Sequence, residues 1–221
     1  MKKLLKKKIT ISNKDNEIIH YIINQLNNFF PAKKKISKLE IKYQFKIALE
    51  KSFNCYDKIK TKFFENNKDF IFNSDKYTIL LYFLSNEVYK SNKNKTIADR
   101  LYYLNKALHG IDLHYEVEMP DIFYLIHPVG TVLGRASYKN YFVSYQNCTV
   151  GSNKNIFPKI DEYVTMRPGT TIIGNSNISK NCEISINSLI VDKNVDKNSI
   201  YFGNPKNFII KKNQKKNRWF D

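Results

Sequence analysis

The chain is short of cysteine, short of acidic residues and without a long apolar run. Its three cysteines, Cys55, Cys148 and Cys182, are an odd number without paired spacing. That excludes a disulfide framework and points to reduced thiols and a cytoplasmic location. No Cys/His spacing of the metal-holding kind occurs, so no metal is expected. The longest apolar stretch, Tyr77 to Leu84, is far too short to cross a bilayer. The opening Met1-Lys2-Lys3-Leu4-Leu5-Lys6 is basic, but no apolar stretch follows it, so it does not read as a secretory signal. Lys and Arg number 37 against 20 Asp and Glu, a net charge of +17. The lysines are spread over the whole chain and no recognition helix stands out, so a nucleic-acid partner is not expected. The positive field instead favours anionic small molecules, coenzyme phosphates included.

What the chain does have is a period of six. Ile160, Met166, Ile172, Ile178, Ile184 and Ile190 stand at that spacing. Four residues after each of the first five come Val164, Thr170, Ser176, Cys182 and Ser188, all small or β-branched. Neither an α-helix nor an ordinary strand has this period. A three-sided coil does: each hexapeptide supplies one short strand and one corner, with the aliphatic residue pointing inward and the small residue fitting the bend.

The first hundred or so residues follow a helical pattern. Ile18, Ile19, Ile22, Ile23, Leu26, Phe29 and Phe30 form one apolar face, stopped by Pro31. Ser37 and Glu40 make a capping-box pattern ahead of Leu39, Tyr43 and Ile47. A third helix is predicted from Ser74-Asp75, carrying Leu80, Leu81, Leu84 and Val88. After a polar break at Ser91 to Lys95, Thr96 and Asp99 suggest a cap for Ile97, Leu101, Leu104 and Leu108, and Gly110 suits a helix end. Beyond it Ile111, Val117, Phe123 and Val129 are six apart, and a shifted frame runs through Val132, Tyr138, Ser144 and Val150. A loop from Ser152 to Phe157 interrupts the coil, and repeat proteins place binding residues in such excursions. The predicted organisation is α+β: a helical N-terminal domain over 1–108, a left-handed parallel β-helix of hexapeptide repeats over 109–205, and a basic C-terminal tail over 206–221, exposed or forming a short helix that closes the open end.

Several segments resemble the serine acetyltransferase family. Gly110-Ile111-Asp112-Leu113-His114, followed by Ile126-His127-Pro128-Val129-Gly130-Thr131-Val132-Leu133-Gly134, is similar to its Asp-Ile-His and Asp-His-x-x-Gly-x-Val-x-Gly stretches. Asn147-Cys148-Thr149-Val150-Gly151, Pro158-Lys159-Ile160, Ile172-Ile173-Gly174-Asn175 and Gly203-Asn204-Pro205 are similar to its later coils. The resemblance runs from about 97 to 207, and the helical region before it carries no motif that aligns. It implies an acetyl-CoA-dependent acyltransferase in which His127 is the general base and Asp112 its carboxylate partner. The fifteen-residue separation of that pair is not a multiple of six, so stacking of coils alone does not bring it together. The resemblance further implies that the Gly151-Ser152 backbone meets the oxyanion, that Pro168, Gly169, Ile186 and Asn187 line the pantetheine arm, and that Lys206 meets a coenzyme phosphate. His114 follows the family's Asp-x-His. A homotrimer with sites between subunits is implied, or a pair of trimers joined through the helical region.

Two departures bear on the acceptor. Ile126 stands where the family has Asp, and Ile156-Phe157-Pro158 stands where it has Arg-His-Pro on a longer loop. Apolar side chains cannot make charge-assisted bonds to the two ends of serine. The chain therefore looks like the members linked to bacterial surface-polysaccharide synthesis. The expected acceptor is a sugar hydroxyl or amine, lined by Ile126 and Phe157, with Tyr124 nearby. Two other readings stand beside this one: a serine O-acetyltransferase of cysteine synthesis with a remodelled pocket, and a non-catalytic trimeric scaffold.

Overall fold

A computed structural model describes residues 12–65, 70–92, 94–214 and 217–220. The basic opening Met1 to Lys6 lies outside them. Helices α1 (Asn13–Phe29), α2 (Lys38–Tyr56), α3 (Lys62–Glu65), α4 (Ser74–Asn92) and α5 (Lys95–His109) come first, with a 3-10 turn at Phe70–Phe72. No helix among the described residues is long and apolar enough to cross a membrane.

The local signals place these helices closely. Ile18, Ile19, Ile22, Ile23 and Leu26 form the buried face of α1. The Ser37/Glu40 box closes α2, with the Ser37 N–H donating to Glu40 Oε2 at 2.9 Å. Leu39 and Tyr43 are exposed, however, and the buried face of α2 is Ile41, Phe45, Ala48 and Leu49. The first turn of α5 is capped not by Thr96 but by Asn94, whose side chain accepts from Ile97 N–H at 3.3 Å. Gly110 ends α5 in the left-handed conformation, φ 65°, as its position suggested.

Helix α4 is buried on nearly every side from Asp75 to Val88, as a helix enclosed by neighbours must be. It packs between α2 and α5 and lies over the first turn of the coil. Its polar groups are matched across that junction. Tyr82 O–H donates to Val117 O at 2.6 Å and accepts from Met119 N–H at 3.0 Å, while Asn86 Nδ2 donates to Tyr115 O at 2.7 Å. Tyr82 and Phe83 set their rings against Phe123. The helical domain thus plugs the open end of the coil with apolar area and satisfied hydrogen bonds.

The remainder is the three-sided parallel β-helix expected from the six-residue period. One wall stacks β1 (Phe123–Leu125), β4 (Phe142–Ser144), β7 (Thr165–Met166), β10 (Glu183–Ile184) and β12 (Ser199–Asn204). A second stacks β2 (Val132–Leu133), β5 (Thr149–Gly151), β8 (Thr171–Ile173) and β11 (Leu189–Val191). The third stacks β3 (Ser137–Tyr138), β6 (Lys159–Ile160) and β9 (Asn177–Ile178). Strand pairing puts Ser144, Met166, Ile184 and Tyr201 in one inward file, Val150, Ile172 and Ile190 in a second, and Tyr138, Ile160 and Ile178 in a third. All are buried, and so are Val164, Thr170, Ser176, Cys182 and Ser188 of the second register.

The earlier frames need correction. Val129 and Val132 are exposed, and Leu133 is the inward residue, paired with Val150. The described part of the basic segment 206–221 is neither a free tail nor a helix. Residues Asn207–Lys212 form β13, antiparallel to β12, and 217–220 then lie back along the first wall. Lys60 N–H donates to Trp219 O at 2.9 Å, the Trp219 ring meets Tyr124 at 5.6 Å, and Phe220 meets Tyr141 at 5.3 Å. β13 extends the first wall beyond β12 at the far end of the coil, and residues 217–220 strap the coil to the helical domain.

One edge of the prism joins the first wall to the second. There Gly130, Asn147, Gly169 and Asn187 stand one above another, all with positive φ. The turn demands a left-handed residue, and glycine and asparagine are the residue types that supply it at least cost. The two alternate for a packing reason: a Cβ on Gly130 would overlap Asn147 Oδ1, and one on Gly169 would overlap Asn187 Oδ1.

Two stability measurements test this register. Ile172→Ala should cost about 2–5 kcal/mol in urea denaturation, against about 0.5 kcal/mol or less for exposed Ile186→Ala. Comparable losses for the two would mean that the inward file is misassigned. Gly169→Ala should destabilise by about 1–3 kcal/mol, since it imposes φ 72° on an alanine and displaces Asn187. A melting temperature equal to the parent's would show that the corner tolerates a side chain.

Candidate active site

The Gly/Asn edge is interrupted at its first turn. Two residues, 145–146, separate inward Ser144 from Asn147, and two, 167–168, separate Met166 from Gly169. Four residues, 126–129, separate Leu125 from Gly130. The extra pair pushes the corner outward and carries His127. This is the physical origin of the frame shift seen in the sequence after Phe123.

His127 is exposed and left-handed, with φ 48°. Left-handed backbone is common at the corners of this coil, where Tyr141, Asn147, Tyr163, Asn181, Asn187 and Asn198 also adopt it. The bulge is held by Val129 N–H to His127 O at 2.7 Å, Thr131 N–H to Pro128 O at 3.1 Å and Gly130 N–H to Gly110 O at 2.9 Å. A contact from the helical domain completes it: His127 N–H donates to Asp75 Oδ1 at 3.3 Å. Asp75 is buried in the first turn of α4. Burial pushes its carboxyl above the usual range, while the His127 ring and backbone N–H pull the other way.

The side-chain bonds of Asp112 run to α5. It accepts from Tyr102 O–H at 2.7 Å and from Lys106 Nζ at 2.7 Å. Partial burial raises its carboxyl, but the bonds from Lys106 and Tyr102 outweigh that and hold it below the ordinary range. His114 belongs to the same cluster. Its ring lies 5.0 Å from Tyr102 and 4.0 Å from Tyr115, and its Nδ1 accepts from Glu116 N–H at 3.3 Å. Asp112 and His114 thus both contact the joint between α5 and the first turn.

The residues assigned to the coenzyme mostly share the edge that His127 heads. Pro168-Gly169 and Ile186-Asn187 occupy successive turns of it, joined by Asn187 N–H to Pro168 O at 2.9 Å. The hairpin that carries Lys206 leaves from the next turn, where Gly203 N–H donates to Ser188 Oγ at 3.1 Å. From His127 to that hairpin is four turns, roughly 19 Å at the strand spacing of a sheet. Ile186, Asn187 and Lys206 are exposed along it. Gln146 sits on the same edge, and its Oε1 is buried without a hydrogen-bond partner among the described residues.

Gly151-Ser152 is elsewhere. It lies at the opposite edge of the second wall, about 13 Å away along four residues of strand. A single chain does not bring it to its own His127. The 152–157 loop at that edge is short and pinned: Lys154 and Asn155 are left-handed, Asn153 N–H donates to Ile156 O at 3.1 Å, and Asn153 Nδ2 donates to Asp192 Oδ2 at 2.6 Å. It holds Ile156 and Phe157 out to solvent. Ile126, expected beside them in the acceptor pocket, is buried in its own chain and lines no open surface. No group of three or more His, Cys, Asp or Glu among the described residues is placed to hold a metal.

Asp75, Tyr102 and Lys106 were not singled out by sequence reasoning. The only available signal for Asp75 was its place at a helix start, which reads as capping.

No family profile matches the chain, and no curated protein matches it in sequence. Solved structures do match its fold. Serine acetyltransferase from Vibrio cholerae O1 biovar El Tor N16961 aligns with TM-score 0.73 at 16% identity, over 94% of this chain and 83% of that one. The enzyme from Brucella abortus strain S19 aligns with TM-score 0.71 at 20% identity, over 92% and 85%. A serine acetyltransferase in complex with CoA aligns with TM-score 0.70 at 19% identity, over 90% and 86%. Helical domain, plugged coil and hexapeptide walls together give this chain the left-handed β-helix fold of the serine acetyltransferases.

Proposed function

We propose that the chain is an acetyl-CoA-dependent acetyltransferase with His127 as general base. The observation that carries this reading is the two-residue corner bulge, which presents one imidazole at the head of an exposed edge several turns long. A histidine titrates near neutral pH and can take a proton from a hydroxyl or amine as that group attacks the thioester carbonyl. The tetrahedral intermediate then expels the thiolate, and the imidazolium returns the proton to it. The products are the acetylated acceptor and CoA. The Pro168-Gly169 and Ile186-Asn187 turns would carry the pantetheine arm, and Lys206 would meet a phosphate. The CoA bound to a serine acetyltransferase with this fold supports acetyl-CoA as the donor.

The oxyanion donors assigned to Gly151-Ser152 would come from a neighbouring subunit, because in one chain they lie a wall's width from His127. Exposed apolar residues on both edges, Val129 and Ile186 on one and Ile156 and Phe157 on the other, are consistent with a homotrimer that closes the site.

For the acceptor we favour a sugar hydroxyl or amine. A loop that presents Phe157 in place of Arg and His offers a face on which a pyranose ring can stack, and lacks those two groups for an amino-acid zwitterion. Serine is the second reading, supported by the names of the solved structures that share the fold.

His127→Ala should lower kcat/KM by about 10²–10⁴-fold in a thiol-release assay with acetyl-CoA. Unchanged turnover would leave the trimeric-scaffold reading standing. In the same assay nucleotide sugars and amino sugars should be turned over faster than L-serine. A higher kcat/KM for serine than for every sugar tried would assign the second reading instead.

A further inference from the structure

We propose that the pocket between the outer face of the first wall and the C-terminal strap is a binding site for a phosphate-type oxyanion, held by Arg167 and Arg218. The inference goes beyond the acetyl-transfer reading and does not depend on it.

Two segments far apart in sequence build the pocket. Arg167, just after β7, and Glu183, on β10, come from neighbouring turns of the first wall. Asn217, Arg218 and Trp219 come from the strap, and Tyr163 closes the side at the corner before β7. The cavity, of about 70 Å³, is larger than a single water requires.

Two guanidinium groups converge here. Arg167 Nη1 and Arg218 Nη2 both donate to the Tyr145 hydroxyl oxygen, at 3.1 and 3.0 Å. Sharing one acceptor keeps those nitrogens within about 6 Å of each other. Like charges so close repel unless an anion lies between or beside them. Glu183 answers only one of the two: it takes Arg167 Nε at 2.9 Å and Nη2 at 2.8 Å. It is the sole carboxylate among the described lining residues, and Arg218 has no carboxylate partner among the described residues. The pocket therefore carries one positive charge more than it neutralises.

The unmatched cation is held in place and not left to sweep through solvent. The Arg218 guanidinium lies 4.2 Å from the centre of the Trp219 ring. Trp219 N–H donates to Asn217 Oδ1 at 2.9 Å, and its carbonyl accepts from Lys60 N–H at 2.9 Å. Asn213 Nδ2 donates to Asn181 O at 3.1 Å and Asn217 Nδ2 to Thr165 Oγ1 at 3.4 Å, so the strap is tied to the wall on both sides of the cavity. A fork fixed in this way binds an anion with little ordering cost. A guanidinium has five N–H groups, and a carboxylate offers about four lone-pair sites. Arg167 uses three on Glu183 and Tyr145, and Arg218 uses one on Tyr145. The donors that remain outnumber what one carboxylate can accept, and they suit a tetrahedral oxyanion.

The site is open in the assembly proposed above. Both edges that would meet in a trimer bound the second wall, so the outer face of the first wall would point to solvent. The coenzyme phosphate is assigned to Lys206, on the hairpin after β12, which leaves this pocket for inorganic phosphate or a phosphorylated small molecule.

Trp219 is the only tryptophan of the chain, so its emission reports on the pocket directly. In the full chain at constant ionic strength, inorganic phosphate and glucose 1-phosphate should each change that emission saturably, whereas chloride and glucose should not. Tighter binding of glucose 1-phosphate would assign a phosphorylated ligand, and tighter binding of phosphate the free ion. Arg218→Gln should weaken the response about tenfold or more while melting within about 2 °C of the parent. Arg218→Lys, which keeps the charge and lacks the fork, serves if the glutamine variant does not fold, and should weaken it about threefold or more. No saturable change, or an equal response from the folded variant, would overturn the proposal. Loss of the phosphate response on adding CoA would overturn it too, since the pocket would then belong to the coenzyme. Failure of the base reading is distinct: it would appear as full acetyl transfer by His127→Ala, and would leave these titrations unchanged.

Discussion

A parallel coil with three short walls must turn at every corner, and left-handed backbone recurs at those corners, including every turn of the one between the first and second walls. That constraint organises the molecule. Gly130, Asn147, Gly169 and Asn187 meet it by alternation, each asparagine side chain filling the space that the glycine beneath leaves empty. Because the four are in register, the edge is straight and its exposed residues form one line. The single irregularity, the extra pair at 126–129, then has a defined effect. It moves one histidine off the line without disturbing the turns below it.

The helical domain supplies what the coil cannot. A stack of hexapeptides leaves its first turn open, with apolar area and backbone groups exposed. Helix α4 covers that turn, and the Tyr82 and Asn86 bonds satisfy the carbonyls beneath it. The same placement brings the first turn of α4, with Asp75, against the corner bulge. Plugging the coil and furnishing the histidine with a neighbour are thus one packing event. The C-terminal strap reinforces it from outside, since Trp219 covers Tyr124 and bonds the segment after α2.

Division of a site between edges has a consequence for assembly. Within one chain the His127 edge and the Gly151-Ser152 edge are held apart by the width of a rigid wall. No rearrangement short of unfolding the wall brings them together. In the proposed trimer a second copy of the chain would bring the two edges together, with the exposed apolar residues at each edge between them.

Local periodicity carried the coil. The six-residue files from Ile160 to Ile190 were legible because strand, corner and inward residue all repeat within a hexapeptide, and each proved buried. The Ser37/Glu40 box and Gly110 were legible for the same reason, since caps act within one turn of chain. Where spacing was broken, so was the reading: the bulge adds two residues to the first turn, and Leu133 stands five residues before Tyr138 instead of six, so Val132 was taken for Leu133. The carboxylate that accepts the His127 backbone N–H was beyond any such reading. So were the bonds that Asp112 receives from side chains of α5. The sequence by itself determined the coil, its inward residues and the histidine at its first corner, because those follow from neighbours along the chain. Tertiary structure alone decided which acid meets the backbone of that histidine, because this depends on how a helix more than fifty residues away docks on the open end of the coil.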